Sequence, residues 1–543
     1  MSEQQFNQEA TSTLAVSKFD VVIVGAGFAG LCMLYRMREL GFSARVFEAA
    51  SGVGGTWYWN RYPGARCDVD SMQYSFEFCA ELQQEWEWSE RFATQPEILN
   101  YANHVADRFD LRRDIQFDTR VMAATFEEVA KRWTVETDDG VQVSAQFCVM
   151  ATGCLSIPSV PKFKDIDAFE GPTYHTGRWP HEEVNFAGQR VAVIGTGSSG
   201  IQAIPVIAEQ AEHLFVFQRT PNYTIPAQNA LSDPRFVREF KANYADLRKE
   251  AKQGKSGMLV RVNTSSALEM TPEERQREYE TRWSEGGFGF MAAYADLLVV
   301  IDSNETAAEF VRGKIREAVH DPDVADALSP QNIIGAKRLC LDTNYYATFN
   351  RSNITLIDVS NSPIERITRK GILVKGDEFE VDSIVFATGF DAMTGALLKI
   401  DVRGRGGAAL GEKWTDGPRA YLGLAMAGFP NLFTITGPGS PSVLSNMLAS
   451  IEQHVDWIAD CFIYMRERGL ARIEPRIDAE DAWISHVNEA ADASLRSKVA
   501  SWYVGANIPG KPRVFMPYIG GVPQYAQKCD DVAARGYQEF TLS

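Results

Sequence analysis

Cysteine is scarce in this chain and histidine scarcer, with eight and seven copies spread over 543 residues. No CxxC, HxxxH or HExxH pair occurs, and the nearest cysteines, Cys148 and Cys154, have five residues between them. A disulfide scaffold and a zinc centre are therefore not expected, and free thiols in a reducing cytoplasm are. Basic charge is also short: 54 Lys and Arg face 71 Asp and Glu, for a net charge of −17. Phosphate backbones and anionic membranes need clustered cations, so nucleic acid and membrane surfaces are not the expected partners. No unbroken apolar run is long enough for a membrane helix. The longest uncharged stretch, Ala420 to Ile451, is interrupted by Pro430, Asn431, Gly437, Pro438, Gly439 and Pro441, and reads as a buried glycine-proline loop system. The N-terminal residues carry Glu and Gln and lack the apolar centre of a secretory signal.

What the chain does have is length for about three domains and a large core. After a tail to about residue 18, FDVVIVGAGFAGLCMLYRMRELGFSARVFEAA reads as strand, glycine turn, helix and strand. Val21 to Val24 form a β-branched run suited to a buried parallel strand, and Leu31, Leu34, Met37 and Leu40 recur at helical spacing before Gly41. The unit returns at QRVAVIGTGSSGIQAIPVIAEQAEHLFVFQRT. One GxGxxG is weak evidence, and its bland reading is an ordinary turn. Two such motifs, each after an apolar strand and each opening a helix, point to two dinucleotide sites.

The glycines let the backbone approach a pyrophosphate where free N–H groups and the helix dipole favour an anion. Glu48, 23 residues after Gly25, ends the second strand, where a carboxylate accepts ribose hydroxyls; that fits FAD or NAD. The matching position after Gly195 is Gln218, followed by Arg219. With no carboxylate to repel a 2′-phosphate and a guanidinium to bind it, the second dinucleotide is expected to be NADP. Away from such a motif, Arg219 would be a solvated cation at a strand end.

Charged, helix-periodic segments fill residues 226–330 and read as a helical insertion with solvated faces. FCVMATG (147–153) closes the first unit, and IVFATG (384–389) echoes it. The expected architecture is α/β, with two Rossmann-like dinucleotide-binding domains. The FAD domain takes 19–150 and 385–543, the NADP domain 151–225 and 331–384, and the helical insertion 226–330. Chains of this kind are reductases or monooxygenases. The cysteine pair that disulfide reductases carry beside the flavin is missing, which disfavours that reading.

Just before the second glycine motif, FEGPTYHTGRWP matches FxGxxxHxxxWP through Phe169, Gly171, His175, Trp179 and Pro180. GGTWYWNRYPGARCD supplies a second signature through Gly54, Gly55, Trp57, Tyr62, Pro63, Gly64 and Asp68. Together they resemble the fingerprints of type I Baeyer–Villiger monooxygenases. The resemblance runs from about residue 18 to the end, and is strongest to the phenylacetone and steroid types through GPGSPSVLSNM and SWYVGANIPGKPRVFM.

The resemblance implies FAD and NADPH as cofactors, a ketone and O₂ as substrates, and an ester or lactone as product through a flavin C4a-peroxide. It implies that Arg338, of the Lys337-Arg338 pair, keeps that peroxide anionic, and that Asp68 orients Arg338. Read without the family, Lys337-Arg338 is a surface pair and Asp68 a turn or cap residue. The FAD contacts it implies are Gly25, Gly27, Phe28, Ala29, Gly30, Glu48, Gly55, Thr56, Trp57, Asp68, Tyr74, Val121 and Met447. For NADP they are Arg66, Gly195, Thr196, Gly197, Ser198, Ser199, Gly200, Arg219, Thr220, Lys337, Arg338 and Trp502, the last in a loop that closes over the cofactor. Pro441, Ser442, Val443 and Leu444 line the substrate side, with aryl, larger cyclic or steroid ketones expected. His175 and Trp179 are expected to serve hinge or packing roles. The competing readings are a flavin-containing monooxygenase oxidising amines or sulfides, and a non-catalytic nucleotide sensor. Oligomerisation leaves no readable signal, and monomer is the default.

Overall fold

The computed structural model describes residues 16–543, so the expected tail lies outside the described residues up to position 15. Its last two positions belong to a strand instead, because Ser17 and Lys18 already pair with Val143 and Ser144.

The first sheet has nine strands. Its parallel centre is Ser17–Val24 between Ala44–Phe47 and Gln142–Met150, with Phe429–Thr434 joining the far side of Gln142–Met150. Val21, Val22 and Ile23 have no exposed surface, as a strand covered on both faces requires. The helix Phe28–Glu39 covers one face with Leu31, Leu34 and Met37, and ends at Leu40 before Gly41 at φ +72°. Burying each such side chain contributes about 1.5–3 kcal/mol, so this small unit is strongly tied to the core.

The second sheet has five strands, all parallel, in the order Ile354–Asp358, His213–Gln218, Arg190–Ile194, Ser383–Phe386 and Thr173–His175. The expected return to the first domain at residue 385 therefore falls inside a buried strand of the second sheet. The chain re-enters the first sheet only at Asp401–Arg403. The echo between FCVMATG and IVFATG has a different cause. Each Ala-Thr-Gly follows the strand beside its own glycine motif. A Cβ on Gly25 would lie 2.7 Å from the Ala151 carbonyl, and one on Gly195 would lie 2.5 Å from that of Ala387.

The insertion holds the helices Pro234–Ala242, Tyr244–Gln253, Pro272–Glu285, Ile301–Ala318 and Pro322–Leu328. Three begin with a proline inside a side-chain cap from Asp233, Thr271 or Asp321. Their faces are not all solvated as expected, because Arg248, Arg282 and Arg312 are buried. Arg248 donates to the carbonyls of Gln73 and Ser75, Arg282 to Glu278, and Arg312 to Glu305, Glu309 and the Pro330 carbonyl. Helical charge periodicity cannot distinguish a solvated arginine from one whose terminal nitrogens are taken by carbonyls and carboxylates.

The Ala420–Ile451 stretch is buried as expected, yet it is not all loop. It supplies the strands Ala425–Met426 and Phe429–Thr434 and the start of the helix Met447–Glu467. Among the described residues, no helix is long and apolar enough to cross a membrane.

Candidate active site

Both glycine motifs sit at helix N-termini that lack side-chain caps and carry no acidic residue in the first turn. The free N–H groups of Phe28–Glu39 and Ser198–Gln210 are thus left for an anion. Gly30 and Gly200 are enforced by packing: a Cβ would lie 1.8 Å from the Gly25 carbonyl and 2.3 Å from that of Gly195. Gly197 differs, since nothing lies within 4 Å of where its Cβ would be. These cradles fit a dinucleotide pyrophosphate in each unit.

Glu48 is buried and its two oxygens accept from the amides of Ala26, at 2.6 Å, and Ala50, at 2.8 Å. Burial raises its carboxyl, partly offset by those amides. It locks the first glycine turn and has acceptor lone pairs left over. Gly55, at φ +54°, packs against Gly27, and Thr56 and Trp57 begin the short helix Thr56–Trp59. Trp57 Nε1 donates to the Tyr74 hydroxyl at 3.0 Å. Val121 begins a strand and is buried beside Val24 and Phe47, while Met447 opens the helix Met447–Glu467.

In the second unit, Gln218 is buried and donates to the Ala327 carbonyl at 2.8 Å, while Arg219 and Thr220 are exposed. Lys337 stands close enough to Arg219 that, after burial, the arginine charge is what lowers its ammonium. Two neighbouring cations of this kind suit an anion such as a 2′-phosphate. Thr196 donates to the Thr220 carbonyl at 3.2 Å, Ser198 contacts Cys340 Sγ at 3.1 Å, and Ser199 contacts Thr176 at 3.0 Å. The Arg66 guanidinium, expected at NADP, is engaged by Glu90 at 2.9 Å and the Phe92 carbonyl at 3.2 Å.

The two units meet at Arg338. Its Nε and one terminal nitrogen donate to Asp68 Oδ2 at 2.9 and 2.6 Å, and the other terminal nitrogen donates to the Val443 carbonyl at 2.8 Å. Phe288, from the insertion, lies under the guanidinium with 5.2 Å from Cζ to the ring centre. Burial opposes the arginine charge, but Asp68 and then Tyr503 more than offset it, so its pKa lies above the ordinary value. The cation is permanent, partly desolvated and held on three sides.

The Val443 carbonyl comes from the tight turn Ser442–Leu444 after Pro441, in which buried Ser442 adopts φ +41°. Thr436, upstream at φ +58°, donates its N–H to buried His454 Nδ1 at 2.9 Å. Around the turn lie Cys154, Leu155, Met393, Leu444, Met447, Trp502, Tyr503 and Phe515, an apolar wall. Trp502 packs on Tyr503 at 4.2 Å. Their loop is anchored by Lys511 to Asp391, at 2.6 Å, and by Asn507 to the Phe390 carbonyl, at 2.7 Å.

His175 lies apart from this cluster. Its Nδ1 accepts from Gly177 N at 2.9 Å and Nε2 faces Thr388 Oγ1 at 3.2 Å, with burial lowering the ring's pKa. Trp179 N donates to the Trp59 carbonyl at 3.3 Å, so the two signatures touch. Phe288, Tyr503 and Gln202 were not singled out from the sequence. The flanking Gly286-Gly287 and the neighbour Trp502 were the available signals for the first two.

An FAD-type cradle and an NADP-type cradle converging on a fixed arginine define a two-dinucleotide flavoprotein. Residues 22–256 match the family described as Pyridine nucleotide-disulphide oxidoreductase. A Baeyer-Villiger monooxygenase of Pseudooceanicola batsensis is 44% identical over 97% of each chain. Acetone monooxygenase (methyl acetate-forming) of Gordonia sp. strain TY-5 is 41% identical, covering 98% of this chain and 100% of that one. The structure of oxidized steroid monooxygenase bound to NADP superposes with a TM-score of 0.93 at 52% identity, over 97% of this chain and 99% of that one. The chain belongs to the Baeyer–Villiger monooxygenases, FAD-dependent enzymes that oxygenate ketones with NADPH and O₂.

Proposed function

We propose that this site takes an apolar ketone, aryl or larger cyclic, and inserts one oxygen atom beside the carbonyl. The balance is ketone, O₂, NADPH and a proton in; ester or lactone, NADP⁺ and water out. Bound FAD, reduced by NADPH, supplies the activated oxygen, and the chain's residues decide what that oxygen does.

The observation that carries the reading is Arg338 spanning Asp68 and the Val443 carbonyl. A cation fixed before the reaction stabilises negative charge on oxygen without reorganising during it. Asp68 directs the guanidinium and keeps it ionised, and Phe288 limits its tilt. The same fixed charge stabilises the oxyanion that forms when a ketone carbonyl is attacked. The apolar wall from Cys154 to Phe515 supports an apolar substrate and keeps water away, and Trp502 with Tyr503 closes that wall from the C-terminal loop. Arg219 and Lys337 select NADPH through its 2′-phosphate.

A monomer is kept as the default working unit. Eight free cysteines suit a reducing compartment such as the cytoplasm. The test is a ketone panel incubated with NADPH under ¹⁸O₂, with products separated by chromatography. Esters or lactones carrying one labelled atom support the reading. Labelled amine or sulfide oxides, with no ester from any ketone, would reject it.

A further inference from the structure

The second nucleotide helix, Ser198–Gln210, touches the segments that carry both members of the central ion pair. On one side Ser198 Oγ meets Cys340 Sγ at 3.1 Å, two residues beyond Arg338. Asn222 Nδ2 reaches the same sulfur at 3.2 Å. On the other side Gln202, one turn into the helix, grips the loop that leads to Asp68. Its Oε1 accepts from the Tyr62 hydroxyl at 2.8 Å and from Arg66 N at 3.5 Å, and its Nε2 donates to the Arg66 carbonyl at 3.2 Å. Gly64 lets the two backbones close: at φ +80°, a Cβ there would lie 2.4 Å from the Gln202 carbonyl. Arg66 is two residues from Asp68, so little slack separates the clamp from the carboxylate.

We propose that Gln202 is a positioning residue that couples occupancy of the NADP pyrophosphate site to the geometry of the Asp68–Arg338 pair. The inference rests on the reading of that pair given above. The N–H groups opened by Gly197 and Ser198 receive the pyrophosphate, and the helix they begin is braced against both partners of the pair. A shift of the helix on binding moves the Asp68 loop through Gln202 and the Arg338 segment through Ser198 and Cys340. Coupling of this kind is reciprocal, so disturbing Asp68 must alter NADP⁺ affinity, with the clamp on the Asp68 loop as the main route.

The experiment is a binding cycle on the oxidised, FAD-loaded protein. NADP⁺ dissociation constants are measured by titration for the native chain, Asp68→Asn, Gln202→Met and the double variant. Methionine keeps the length of glutamine, leaves the backbone contact with Gly64 in place, and forms none of the three hydrogen bonds of the clamp. Asp68→Asn is expected to shift the constant by about threefold or more in the native background, the scale of one to two hydrogen bonds, and by much less in the Gln202→Met background. The same change in both backgrounds, or none in the native one, would overturn the proposal. If Gln202→Met fails to retain FAD, Tyr62→Phe replaces it in the cycle and carries the same expectation. Because the readout is binding, a failure here is distinct from a failure of Arg338 in oxygenation.

Discussion

Arg338 donates two hydrogen bonds to a single oxygen of Asp68, and both end on Oδ2. Its third bond goes to a backbone carbonyl, that of Val443. The guanidinium is therefore set by a carboxylate from the first nucleotide domain and a carbonyl from the turn that follows the first sheet's return. Lysine cannot reproduce this, because an ammonium lacks the planar fork. Arg338→Lys should keep flavin reduction by NADPH and lower ketone oxygenation by about 10- to 100-fold, the scale of one lost charge-assisted bond. Parallel measurement of flavin bleaching and ester formation checks this.

Phe288 stacks under the same guanidinium. Phe288→Leu should lower oxygenation about two- to fivefold, in line with a cation–π contact of about 0.5–1 kcal/mol, and raise the hydrogen peroxide released per NADPH. Phe288→Tyr retains an aromatic face and should stay near the native ratio. Equal peroxide release from both variants would show that the ring only fills space.

Two positions within the glycine motifs should respond differently to a methyl group. Gly30→Ala forces a Cβ onto the Gly25 carbonyl and should give a protein poor in flavin. Gly197→Ala meets no protein atom within 4 Å, so the chain should fold and keep its flavin while the NADPH KM rises. Flavin content by absorbance, with KM measured on the purified proteins, separates the two.

Arg219 and Lys337 are proposed to bind the 2′-phosphate of NADPH. Arg219→Ala should raise the NADPH KM about 10- to 100-fold, matching the 1.5–3 kcal/mol scale of a charge-assisted bond, with little change for NADH. An unchanged NADPH KM would remove Arg219 from the cofactor site.

Two buried groups on the helix Met447–Glu467 give opposite pH signatures. Burial, then the charge of Glu77, pushes the Glu452 carboxyl up to about 8. In the unfolded chain it ionises near about 4.3, so between those values the folded state binds more protons. Its stabilising contribution is full at low pH and is lost as pH rises toward 8. Burial lowers His454 to about 3, so its contribution is lost as pH falls below the unfolded value of about 6.5. Between pH 6.5 and 8 Glu452 dominates, because the unfolded histidine is already mostly neutral there, and stability falls as pH rises. Glu452→Gln should flatten the fall of the denaturation midpoint over that window. Parallel profiles for the variant and the native chain would refute the assignment.

Much of this arrangement was legible in the residues. The β-branched run from Val21 to Val24, the helical spacing of Leu31, Leu34 and Met37, and the paired glycine motifs are local features, so both nucleotide units could be read directly. Arg338 and Asp68 lie 270 positions apart, and only the family signatures brought them together. The strand Ser383–Phe386 was misassigned because its Ala-Thr-Gly repeats the role of 151–153 in the other domain, which a sequence shows as likeness and not as location. Phe288 and Gln202 were invisible for a related reason. An aromatic in a glycine-rich segment and a glutamine on a helix acquire meaning only from the long-range partner that folding delivers. The buried arginines of the insertion, Arg248, Arg282 and Arg312, were missed because their carbonyl partners carry no sequence signal.

The central claim is that the Arg338 guanidinium commits activated oxygen to the ketone carbonyl. It is tested most directly by ester formed per NADPH consumed in Arg338→Ala, under air with a ketone that the native chain converts. The account predicts flavin reduction at about the native rate, ester below a hundredth of the native yield, and peroxide close to equimolar with the NADPH consumed. Ester yield unchanged from the native chain would contradict it.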